Sequence, residues 1–320
     1  MQILNKSAAR DFTVLNLTDI NMSFDEWQRG SYTCRLLEGT VKEMVDKVSP
    51  DLITFTGDFS YGADDICYKN AADLINSFGV PWAFVWGNHD NQCGAERVDE
   101  LAELMMSYSN CIFEKGDASL GSGNYVIRID EDNIPIYSLI MMDSHDREDW
   151  IDDSGEKTWC WGRLNKNQLD WYEKTAKGIN TKIALLTHIP LPAFRMAFST
   201  AWNKEYEPKK VTYDETKKQK YWNEGYKNSY GTCYEDICSY PIDSGEFSVI
   251  SKGGNTELIL VGHDHVNSFV IDYKGIKLAY ALKTGAGCYW NENLNGGTVI
   301  KISKSGASIE HIFVDSKKFM

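Results

Sequence analysis

No run of apolar residues in the 320-residue sequence approaches the length of about eighteen that a membrane-spanning helix needs. The opening stretch, MQILNKSAARDF, has no apolar core of the kind a secretory signal carries, so no signal peptide is expected. Cysteine is sparse: there are eight, none in a CxxC pair, with Cys233 and Cys238 the only close couple. That excludes a disulfide scaffold and predicts free thiols in a reducing, cytoplasmic compartment. Positive charge is also short, with 33 Lys and Arg against 46 Asp and Glu, a formal charge of −13. So acidic a surface argues against a nucleic acid polymer or an anionic membrane as partner. A small phosphorylated substrate stays open, because bound cations reverse the field locally. Internal repeats and low-complexity segments are absent, and nothing indicates an oligomeric state.

What is present is the balance of an ordinary globular chain, 42% apolar and 25% charged. The length fits one α/β domain, taken as 1–320, with an insertion. Residues 13–18 read as a strand, and Leu37, Val41, Met44, Val45 and Val48 recur at helical spacing. DLITFTGD (51–58) is a second strand. Cys67, Ala71, Leu74, Ile75 and Phe78 mark a second helix, which Gly79 stops, and VPWAFVWGNHD (80–90) is a third strand with its exit loop. This βαβαβ order implies parallel strands, with ligands beyond their carboxyl ends.

Further on, NYVIRI and IPIYSLIMMDS read as a hairpin turning at 131–133, and WGRLNKNQLDWYEKTAKG as a helix. TKIALLTH (181–188) and TELILVGHDH (256–265) are strands, as are 268–273, 276–281, 297–303 and 308–314. A second, more antiparallel sheet is the expected home of the last four. Two mixed sheets packed face to face with helices outside account for the chain. Residues 192–245 fit neither pattern and hold eleven aromatic residues, from Phe194 to Tyr240. They read as an insertion after His188 that either walls a substrate or pins a long loop.

Four of the six histidines, His89, His188, His263 and His265, fall at expected carboxyl ends of strands, together with Asp19, Asp58 and Asn88. Two histidines at i and i+2 after a strand face one site when the backbone is extended. These donors suffice for two ions, and mixed nitrogen and oxygen ligation suits Mn, Fe, Zn or Ni better than Mg or Ca. One ion would take Asp19, Asp58 and His265. The other would take Asp58, Asn88, His188 and His263, with Asp58 bridging. A hydroxide bound at such a pair can attack a phosphomonoester or phosphodiester, with His89 assisting at the phosphate or leaving group. Asn88 and His89 are then substrate contacts, and His145 is a further candidate. Asp90 and Asp264 read as groups that orient their neighbours, His311 as structural, and Met141 and Met142 as core.

The stretches TDIN, TGD, GNHD, LLTH and GHDH, in that order over residues 19–265, resemble the calcineurin-like metallophosphoesterases. HIPLPAF, GHDHVNSF and MMDSHD look like the branch that includes Dcr2-like phosphatases and purple-acid-phosphatase relatives. The resemblance implies an α/β four-layer sandwich and a dinuclear phosphatase or phosphodiesterase. The departure is Asn21, which stands where that family usually has histidine. Asn21 could ligate through its oxygen, Tyr61 of GDFSY could bind Fe(III) as a phenolate, or only the second ion could be held. The alternative function is accordingly a non-catalytic metal- or phosphate-binding protein with an impaired first site.

Overall fold

The computed structural model describes residues 1–28, 30–62 and 64–319. In chain order its strands are β1 (Gln2–Lys6), β2 (Phe12–Leu17), β3 (Leu52–Thr56), β4 (Trp82–Val85), β5 (Tyr125–Glu131), β6 (Ile134–Met141), β7 (Arg147–Ile151), β8 (Lys157–Trp161), β9 (Lys182–Leu186), β10 (Thr256–Val261), β11 (Val270–Tyr273), β12 (Ile276–Tyr280), β13 (Gly296–Ser303) and β14 (Gly306–Phe313). The helices are α1 (Tyr32–Val48), α2 (Asp65–Asn76), the single turn α3 (Asn88–Asn91), α4 (Ala95–Met106), α5 (Lys166–Lys177), α6 (Ala193–Ala201), the short α7 (Tyr213–Thr216) and α8 (Glu246–Lys252).

β2, β3 and β4 are buried at every residue, which is why they read as continuous apolar runs rather than alternating ones. They pair in parallel. α1 starts where the Ser31 side chain accepts the Cys34 N–H, and it buries Leu37, Val41 and Met44 as its spacing predicts. β13 adds antiparallel to β2, and β14 to β13, giving a five-stranded sheet in the order β14-β13-β2-β3-β4.

The other sheet has seven strands, in the order β1-β5-β6-β9-β10-β12-β11. Parallel pairs join β1 to β5 and run from β6 through β9 and β10 to β12, while β5–β6 and β12–β11 are antiparallel. Both sheets are therefore mixed. One detail differs from expectation: the four late strands divide, with β11 and β12 joining the large sheet and β13 and β14 returning to the first. A separate exposed hairpin, β7–β8, was not legible in the sequence.

Along the large sheet alternate residues face opposite ways. Leu139, Met141, Ala184, Leu186, Leu258 and Leu260 join one core with the small sheet and its helices. Ile140, Met142, Ile183, Leu185, Ile259 and Val261 join a second core with α5, α6 and α8. The result is helices, two facing sheets and helices again, a four-layer α/β sandwich. The carboxyl ends of β2, β3, β4, β9 and β10 come together at one rim. No helix among the described residues is long and apolar enough to cross a membrane.

Candidate metal centre

Four residues at this rim lie in left-handed backbone: Asp19 (φ 55°), Asn21 (φ 42°), Asp58 (φ 60°) and His263 (φ 79°). Asp and Asn tolerate that conformation better than other non-glycine residues, for which it costs roughly 1–2 kcal/mol, so the tight turns fall where the polar groups converge. Two glycines explain how closely the segments approach. A Cβ on Gly87 would lie 2.1 Å from Asp58 Oδ1, and one on Gly262 would lie 2.3 Å from Thr18 Oγ1. The glycines of GNHD and GHDH are there because no side chain fits.

Around Asp58, one group of donors is ready for an ion. Asn88 Oδ1 is 3.0 Å from His188 Nε2 and 2.8 Å from His263 Nδ1, and those two nitrogens are 3.3 Å apart. Asp58 Oδ1 is 3.4 Å from His188 Nε2. Ligand atoms about 2.0–2.1 Å from one tetrahedral ion lie about 3.3 Å from each other, so these separations fit a shared ion. His188 Nδ1 donates to the Thr56 carbonyl at 2.6 Å, which leaves Nε2 to present a lone pair. His263 Nε2 and Asn88 Nδ2 are buried without a partner.

On the other side of Asp58 the fit is poorer. Donor atoms of Asp19, Asp58 and His265 lie within 4.8 Å of one another, and His265 Nε2 is 3.5 Å from Asp19 Oδ1. Asp19 accepts from the Thr18 hydroxyl at 2.6 Å and from the His263 N–H at 3.1 Å. Burial pushes its carboxyl up, but His265, His188 and Lys283 outweigh burial and hold it below the usual carboxylate range. Asn21 is fully buried, and its Nδ2 donates to Asp58 Oδ2 at 3.1 Å while its Oδ1 has no partner. That N–H offers the site no lone pair, and the amide would have to turn its Oδ1 round to ligate an ion. Lys283, just beyond β12, is also buried here and donates to the Asp19 carbonyl oxygen. Burial lowers its ammonium to about 8 against the opposing pull of Asp19.

A third group that could hold an ion is Cys238, His263 and Asp264. Its chemistry is less suited. The Asp264 carboxylate is taken by the Tyr280 hydroxyl and the Cys238 N–H, and burial raises it to about 7. Burial likewise pushes the Cys238 thiol up, keeping it protonated. Asp264 thus braces the GHDH turn. Asp90 does the same for GNHD: it accepts from the N–H groups of Asp58, Phe59 and Gly87 and from the Tyr68 hydroxyl.

Asp58, Asn88, His89, Trp161, Cys238, His263, Asp264, His265 and Tyr289 line a cleft of about 180 Å³ over the centre. His89 is half-buried at its mouth, with Nδ1 3.0 Å from Gln92 Oε1 and its N–H on Asp58 Oδ1. Tyr61 is 56% exposed and lays its ring 4.5 Å from that of His89. Trp161 meets His263 edge-on at 4.4 Å, and Tyr289 stacks on His265 at 4.2 Å. His145 lies apart from the cleft: its Nε2 is 3.0 Å from Gln168 Oε1 on α5, and it borders a neighbouring cavity with Asp143 and Asp146. His311 is half-buried, between Thr298 and the Ser268 carbonyl and away from the cleft.

Trp161, Tyr289, Cys238 and Lys283 were missed in the sequence. Lys283 had a signal, since the apolar run 278–282 ends on it just as other runs end on Asp19 and Asp58. The aromatic residues of 192–245 mostly pack on each other and on the large sheet, as in Phe198–Trp202, Trp202–Trp222 and Phe194–Tyr280. From that stretch, Cys238 reaches the cleft.

A family model described as Calcineurin-like phosphoesterase matches residues 12–267. The chain is 28% identical over 283 residues to the Arabidopsis thaliana protein named probable inactive purple acid phosphatase 28, covering 79% of this chain and 63% of that protein. It is 25% identical over 302 residues to phosphatase DCR2 of Saccharomyces cerevisiae, covering 84% of this chain and 46% of that protein. It therefore spans less than two-thirds of the length of either relative. A solved structure of a dimetal phosphatase from Danio rerio shares the fold, with a TM-score of 0.54, 12% identity and coverage of 94% of this chain and 98% of that one.

Proposed function

The chain belongs to the calcineurin-like phosphoesterase family, and on that premise we propose that it binds small phosphorylated molecules at a metal centre with one complete and one impaired ion position. The observation that carries this reading is the Asn21 amide, which gives an N–H to Asp58 where an ion would need a lone pair. Asp58, Asn88, His188 and His263 would hold the complete position, and Asp19 and His265 remain beside Asp58 on the impaired side. A bound ion would polarise phosphoryl oxygens and lower the pKa of adjacent water. The chain's own contribution is to fix the ligand atoms through Thr56, Asp90 and Asp264, and to enclose the phosphate between Trp161 and Tyr289.

Hydrolysis is the second reading, and His89 favours it. Its ring stands at the cleft mouth beside the centre, where it would donate to a phosphoryl oxygen or protonate a leaving alkoxide. The name of the plant relative points to the first reading, and that of the yeast relative to the second.

Calorimetric titration with inorganic phosphate, with Mn, Fe, Zn or Ni supplied and then chelated, tests the proposal. Binding that needs the metal and disappears in Asp58→Asn is expected. Phosphate binding that survives chelation and Asp58→Asn contradicts it. Aryl phosphate turnover that falls in His89→Ala, with phosphate binding retained, would establish the hydrolytic reading.

A further inference from the structure

Among the described residues Lys283 is the only lysine or arginine that is fully buried, at 1% exposed. Its one hydrogen bond there goes to the Asp19 carbonyl oxygen. An ammonium has three N–H donors, so two are left without a protein partner in an interior that penalises unmet charge. The acidic groups whose charge acts on it include Asp19 and Asp58, the two carboxylates of the impaired position. Asn21 adds its own N–H to Asp58 from the same side and keeps an unpartnered buried oxygen. Asn21 thus puts a donor where an ion would require an acceptor, and Lys283 adds a buried positive charge from behind Asp19, held on its backbone carbonyl rather than on either carboxylate. Charge points the same way. One divalent ion with Asp19, Asp58 and Lys283 leaves a single excess positive charge, whereas a second ion would leave three, on a ligand set lacking one imidazole.

We propose that Lys283, with Asn21, stands in for the ion of the first position, so that the chain holds one tightly bound transition-metal ion, on Asp58, Asn88, His188 and His263. A phosphate in the cleft would then meet one metal ion and a fixed ammonium behind Asp19. The inference rests on the metal-binding reading given above and adds to it a stoichiometry and a cause.

The test is metal content per chain by elemental mass spectrometry, after equilibration with Mn²⁺ or Zn²⁺ and removal of loose ions by gel filtration. The wild-type chain should retain one ion. Asn21→His should still retain one, with the second ion about 10–100-fold weaker, because the ammonium remains. The double variant Asn21→His/Lys283→Met should retain two, and Asn21→His/Lys283→Arg, which keeps the charge, should retain one. Two tight ions in the wild-type chain, or in Asn21→His alone, overturn the role of Lys283 and leave the metal-binding reading standing. A folded double variant that gains no ion also overturns it. No ion in any variant overturns both. If the Lys283→Met variants do not fold, the wild-type and Asn21→His counts still decide.

Discussion

The two sides of Asp58 are built from the same rim of strand ends yet differ in what they offer. On the side of β4, β9 and β10, Asn88, His188 and His263 turn lone-pair atoms toward each other at 2.8–3.3 Å, and the Thr56 carbonyl orients one imidazole. On the side of β2 and β12, Asp19 and His265 remain, but Asn21 gives an N–H to the Asp58 carboxylate and the buried Lys283 gives one to the Asp19 backbone carbonyl. On the reading proposed above, a fold can carry a complete ligand scaffold and lose one of its ion positions through two residues. The glycines and left-handed turns that bring the segments together are kept on both sides, so the difference lies in the chemistry of side chains rather than in the backbone.

The largest effect is expected at Asp58, the residue both sides share. Asp58→Asn should abolish tight metal binding, and if the chain hydrolyses esters it should lower the rate by about 10³-fold, the loss of several kcal/mol of charge stabilisation. In chelator the same variant should raise the melting temperature, because it removes one of several crowded buried carboxylates. Elemental analysis and calorimetry check the two halves of that expectation. A variant that still holds its ion would contradict the central place given to Asp58.

How far these two sides could be told apart in the sequence is itself instructive. The ligand candidates were legible because apolar strands end abruptly on Asp19, Asp58, Asn88, His188 and His263, and buried strands rarely end so without a use. That Asn21 would aim its N–H at Asp58 was not legible, since an amide offers a donor and an acceptor and only the fold chooses between them. Lys283 was overlooked because a strand-end lysine reads as a solvated charge. The hairpin β7–β8 was missed because it carries no apolar run: β7 alternates between exposed and half-buried, and β8 buries only Cys160. β13 and β14 were recognised as strands but assigned to the other sheet. Their own alternation says nothing about β2, with which β13 pairs. The aromatic stretch 192–245 showed where rings would gather but not that they would bury one another.

A smaller effect should separate the two sides directly. His188→Ala should weaken the tight ion by about 100-fold or more, whereas Asp19→Asn should leave it within about tenfold, since Asp19 serves the impaired side. Titration with Zn²⁺ against a competing chelator measures both. Equal losses would mean that the sides are not distinct.

The least change at the centre is expected from His311, a half-buried histidine outside it. Burial lowers His311 from about 6.5 to about 4. Between those values the unfolded chain binds the proton and the folded chain does not, so stability is full above about pH 6.5 and falls as pH drops toward 4, by about 1.4 kcal/mol per unit at most. His311→Gln should flatten that slope in metal-free protein and leave the metal count untouched. Denaturant unfolding at pH 7 and pH 5 checks it, and an unchanged slope would rule His311 out as its source.

The most direct test of the account is a crystal structure of metal-loaded protein with anomalous scattering recorded on both sides of the metal's absorption edge. One strong peak beside Asp58, Asn88, His188 and His263, with none of comparable height between Asp19 and His265, is the predicted result. Two peaks of equal occupancy flanking Asp58 would contradict it.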